Sequence, residues 1–66
     1  MKLKKDAFFA LMNVHNLSES QLAEKIGISR THFWRILNGK SRVGTSTISG
    51  FVKAFPNEQI ENFFEI

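Results

Sequence analysis

The segment SESQLAEKIGISRTHFWRILNGK, residues 18–40, constrains this chain more than any other stretch, because it encodes two short helices that a glycine brings close together. Leu22, Ala23 and Ile26 recur at helical spacing, Ile28 interrupts, and Phe33, Ile36 and Leu37 recur again. Both helices therefore turn an apolar face towards one shared small core. Ser18 followed by Gln21 has the form of a capping box, which places the first helix at about residues 19–26. Gly27 ends it, since glycine takes a positive φ with no Cβ clash, and the reversal into the next helix requires that conformation. Ser29 is the expected N-cap of the second helix, at about residues 30–37.

Between the inward positions of that second helix stand Arg30, Thr31, Trp34 and Arg35, which face away from the core. They can hydrogen-bond or stack, and they are group types that read base edges. The first turn, with Arg30, Thr31 and His32, also presents the positive end of the helix, a setting that favours anions. The pattern is that of a helix-turn-helix with its second helix free to meet DNA.

The remainder of the chain bounds the answer. Sixty-six residues suffice for one small domain near the size at which a single core sustains folding unaided. Cysteine is absent, which excludes disulfides and thiolate metal sites, and His15 and His32 are too far apart to form a helical ligand pair. Neither histidine has a motif partner for nucleophilic or metal chemistry, so no enzyme, cofactor or small-molecule ligand is expected. The apolar runs are too short for a signal peptide or a membrane span, giving a cytoplasmic expectation. Residues 3–15 read as a first helix with Phe8 and Leu11 inward, and residues 45–55 as a fourth, ended by Pro56, with Ile48, Phe51, Val52 and Phe55 inward. Residues 58–64, after Asn57 as cap, suggest a short fifth helix carrying Ile60, Phe63 and Phe64. The expected fold is all-α, a compact bundle of five short helices.

Charge is distributed unevenly. The net charge is +3, and from Lys25 to Lys53 there are six cationic residues and no acidic one, whereas Glu58, Glu61 and Glu65 cluster near the end. Charge alone fits a solvated face as well as a polyanion-binding one. The helix pattern favours the second.

With the helices placed, the chain resembles the Xre family of helix-turn-helix proteins, which includes the phage repressor and Cro DNA-binding domains. The resemblance covers nearly the whole chain and rests on LAEKIGISR, then NGK at the expected spacing, then a helix ending in KAF. It implies a five-helix bundle whose third helix enters the major groove, with Arg30, Thr31 and Arg35 as base readers. Arginine can donate two parallel hydrogen bonds to guanine O6 and N7, worth ~1–3 kcal/mol of discrimination, and Thr31 can offer its hydroxyl or its methyl to thymine. Lys40 and Arg42, in the loop after that helix, fall where the family meets the sugar-phosphate backbone. Asn38, Ser29 and His32, and the backbone N–H groups at Asn38 and Gly39, are further backbone candidates. Lys4 and Lys5 are weaker ones, better read as a solvated helix terminus.

Three positions depart from the family pattern. Met12 and Leu37 replace a buried arginine–glutamate pair common in relatives, and an apolar pair avoids the cost of burying two charges. Glu19 stands where a phosphate-gripping glutamine is frequent, and its carboxylate suits the N-terminus of the helix at residues 19–26 instead. Trp34 replaces a small or polar residue. Packing over the edge of Phe33 is the favoured reading, with DNA contact or a protein partner as the alternatives, and Phe9 is expected to be similarly exposed on helix 1.

The resemblance and the size together imply a sequence-specific DNA-binding transcriptional regulator. A Cro-like repressor of a phage or mobile element is expected, binding double-stranded DNA as a weak homodimer that tightens on its operator. Phe63, Phe64 and Ile66 either make the dimer contact or fold back to cap the core. The rival reading is a protein-binding module, such as an antitoxin, that uses Trp34, Phe9 and the C-terminal phenylalanines as anchors.

Overall fold

The computed structural model describes residues 2–65. In chain order it contains strand β1 (Lys2–Leu3), helices α1 (Lys5–His15), α2 (Glu19–Ile26), α3 (Arg30–Leu37) and α4 (Thr45–Ala54), a 3₁₀ turn at Ile60–Asn62, and strand β2 (Phe64–Glu65). Four α-helices are therefore present among the described residues, not five, and the two ends of the chain form an antiparallel ribbon.

The local signals for α2 and α3 act as expected. Gln21 N–H donates to Ser18 Oγ at 3.2 Å, and Ser18 N–H donates to Gln21 Oε1 at 2.9 Å, completing the capping box. Gly27 sits at φ 93°, and its N–H donates to the Ala23 carbonyl at 2.9 Å. Ser29 Oγ caps α3 by accepting from His32 N–H at 3.0 Å. Asn16, in the left-handed region at φ 55°, closes α1, a conformation that asparagine tolerates better than most side chains.

Both ends of the chain depart from the helical expectation for one reason. Lys2 pairs with Glu65 and Leu3 with Phe64, and Lys4 N–H donates to the Phe63 carbonyl at 2.7 Å. Those partners keep the N-terminal residues extended, so α1 starts at Lys5 and not at residue 3. At the other end, the expected fifth helix shrinks to the 3₁₀ turn after Gln59, because Phe63 and Phe64 fold inward and the strand follows.

The core is a cluster of phenylalanines on an aliphatic base. Phe8 is the hub, with ring centroids of Phe51 and Phe63 at 5.4 Å, Phe64 at 5.5 Å and Phe33 at 6.1 Å. Phe51 also meets Phe63 at 5.0 Å and Phe64 at 5.4 Å. Tilted and edge-on pairs like these add ~0.5–1.5 kcal/mol each beyond area burial. Leu11, Leu22, Ala23, Ile26, Leu37 and Phe55 complete the cluster, which also takes in Met12, so both halves of the apolar replacement lie in one core.

Helix α4 is rotated relative to the sequence expectation. Thr47 and Phe51 are its buried residues, Ile48 is only half-buried and Val52 is 41 % exposed. Gly50 supplies the reason. It lies against the end of α2 so closely that a Cβ there would overlap the Ile26 carbonyl oxygen and approach its carbonyl carbon to 2.9 Å. Once Gly50 faces α2, the inward stripe runs through Thr47, Gly50, Phe51 and Ala54, and Val52 points out.

Candidate nucleic-acid interface

Helix α3 divides cleanly into two faces. Phe33, Ile36 and Leu37 are buried, while Arg30, Thr31, Trp34 and Arg35 are exposed and His32 is half-buried. Residues four apart share a face of a helix, so Arg30 stands beside Trp34 and Thr31 beside Arg35. Arg30, Thr31 and Trp34 line a shallow depression of about 260 Å³. Trp34 is 48 % exposed, so about half of its surface stays open to a partner. Phe33 behind it is fully buried, its ring 6.1 Å from that of Phe8.

The loop after α3 holds its cations outward. Lys40 and Arg42 are exposed, and Gly39 at φ 71° lets the chain leave the helix. The backbone amides at this turn are already committed: Asn38 N–H donates to the Trp34 carbonyl at 3.0 Å, Gly39 N–H to Ile36 at 3.1 Å and Lys40 N–H to Arg35 at 2.8 Å. The Asn38 side chain also donates back to the Trp34 carbonyl, at 2.8 Å. The expectation that the Asn38 and Gly39 amides face a phosphate is therefore corrected, because closing the helix C-terminus uses them. Ser29 Oγ accepts the cap bond, which leaves its hydroxyl hydrogen available to an outside acceptor.

Tertiary structure adds a cation that the sequence reading overlooked. Lys2, carried on β1, lines a concave surface of about 500 Å³ together with Lys40 and Arg42, over a floor that includes Ile36, Leu37 and Val43. No local pattern announces this, since Lys2 arrives only through pairing of the chain ends. Lys4 is not a free terminus either: its ammonium donates to the Glu61 carbonyl at 2.9 Å. Lys5 lies 5.8 Å from the centroid of the exposed Phe9 ring.

The C-terminal anchors fall elsewhere than one expectation placed them. Phe63 and Phe64 are 7 % and 1 % exposed, packed among Phe8 and Phe51, so they cap the core and leave no ring for a second copy. Ile66, the third residue of that expected dimer contact, lies outside the described residues.

A two-faced helix, set by a glycine turn against a partner of equal length and flanked by an exposed basic loop, defines a helix-turn-helix DNA-binding domain. Residues 10–65 match the family model for the Cro/C1-type HTH DNA-binding domain, and the chain belongs to that family. This agrees with the Xre-type motifs in its sequence and marks it as a DNA-binding regulator. No curated protein and no solved structure matches the chain. Among the described residues, no helix is long and apolar enough to cross a membrane, and no group of three or more His, Cys, Asp or Glu residues is placed to hold a metal ion.

Proposed function

We propose that this chain is a sequence-specific transcriptional repressor of the Cro type, serving a phage or other mobile element and acting by covering a promoter. The observation that carries the reading is the exposure of Arg30, Thr31 and Arg35 on the outer face of α3 together with that of Lys40 and Arg42 in the loop after it. Helix α3 enters the major groove, where Arg30 and Arg35 each take a guanine edge and Thr31 contacts a neighbouring base. Lys40, Arg42, Ser29 and His32 hold the backbone and set the register.

One domain reads too few base pairs for a genome, so two copies bind half-sites about 34 Å apart on a pseudo-palindromic operator. The domain measures 25 × 23 × 20 Å, which lets two sit side by side at that spacing. Dimerisation is weak in solution and tightens on DNA. The protein acts from the cytoplasm and without a small-molecule effector, its occupancy set by its own concentration. The rival antitoxin-like reading loses its C-terminal anchors to the core and retains Trp34 and Phe9, which lie on different helices.

Selection from a randomised duplex library tests this reading, followed by titration of the enriched duplex at several salt concentrations with the Arg30→Ala, Arg35→Ala double variant. The expected outcome is a roughly palindromic motif whose preference disappears in the variant. Salt-sensitive binding without any motif, weakened uniformly in the variant, would overturn the assignment of α3 as base reader.

A further inference from the structure

Trp34 is the sole tryptophan of the chain, and about half of its surface is open on the outer face of α3. Its surroundings point to the partner it fits. Arg30 lies one turn before it, Thr31 lies alongside, Arg35 follows, and α3 carries no acidic residue. The other exposed large hydrophobics, Phe9, Val14 and Val52, belong to α1 and α4. Trp34 is thus an apolar island one ring wide in a basic, polar face, too small for the contiguous apolar patch that marks a protein interface. A polyanion bearing isolated apolar projections suits such a face. In duplex DNA the major groove supplies that projection, the 5-methyl group of thymine.

We infer that Trp34, with the methyl group of Thr31, forms an apolar seat for a thymine 5-methyl group, making Trp34 a specificity-determining residue alongside the arginines. The seat is the depression that Trp34 and Thr31 line with Arg30. This rests on the DNA-reading function proposed above. Arg30 and Trp34 are four residues apart, about 6 Å along the helix axis. A base step is about 3.4 Å, so the thymine lies within about two steps of the guanine that Arg30 takes.

The test replaces each thymine of the selected duplex, one at a time, with deoxyuridine, which keeps the pairing and removes only the methyl group. At one position in each half-site the wild-type protein should bind about fourfold more weakly, the effect of one buried methyl group. Trp34→Ala should bind the two duplexes equally while keeping its preference for guanine, and its circular dichroism should match the wild type because the ring is exposed. Tryptophan emission should change when the thymine duplex is added. Wild-type indifference to deoxyuridine at every position would overturn the inference while leaving the arginine reading intact. So would unchanged discrimination in Trp34→Ala, or unchanged emission on a tightly bound duplex, which would turn the ring towards a protein partner. Loss of all sequence preference in the wild type would instead remove the DNA-reading function and this inference with it.

Discussion

The α2–α3 helix pair and the terminal ribbon β1–β2 are built by opposite means. Within the pair, the capping and turn hydrogen bonds join residues no more than five apart: Ser18 with Gln21, Gly27 and Ile28 with Ala23, Ser29 with His32, Lys40 with Arg35. The ribbon joins residues from opposite ends of the chain, with Lys2 opposite Glu65 and Lys4 bonded to the Phe63 and Glu61 carbonyls. Local bonds give the reading unit its shape. They do not give it stability, because eight-residue helices are far below the length that persists alone in water. Stability comes from the phenylalanine cluster, in which Phe8 near one end meets Phe63 and Phe64 at the other. Shape and persistence of the DNA-facing surface therefore depend on different residues.

The largest effect that could break this contrast is at Phe64. Phe64→Ala, remote in sequence from α3, should cost ~3–5 kcal/mol. A chain this short has a total stability of ~3–10 kcal/mol. Thermal or urea unfolding should therefore find the variant unfolded or nearly so; an unchanged midpoint would mean that the ribbon merely decorates the helices. Gly50→Ala comes next, at about 2–3 kcal/mol destabilising, since the new methyl must push α4 off the Ile26 carbonyl and outweighs the ~1 kcal/mol gain in helix propensity. Gly27→Val should cost ~1–2 kcal/mol, because a β-branched side chain at φ 93° is strained, and it should also weaken DNA binding by disturbing the angle between α2 and α3. The smallest effect sharpens the contrast. Arg30→Ala together with Arg35→Ala should leave the unfolding midpoint within about 0.5 kcal/mol of wild type, while base preference is lost.

The boundaries of α2 and α3 were legible because capping boxes, N-caps and left-handed glycines act over three to five residues, and such spacing is visible in a sequence. The outward placement of Arg30, Thr31 and Arg35 followed from the same helical period. Val52 was assigned to the wrong face because apolar character outweighed the cue of a mid-helix glycine, and Gly50 revealed its purpose only when α2 was laid against it.

By itself, the sequence determined the helical reading unit, its caps and turn, the face that carries the arginines, and the family. Those features depend on near neighbours, and helix periodicity expresses them directly. Only the tertiary structure decided that the chain ends pair as a ribbon, that Phe63 and Phe64 close the core and do not face a second copy, and that Lys2 joins Lys40 and Arg42. Each of these joins residues far apart along the chain, and their meeting depends on closing long loops around a shared apolar cluster.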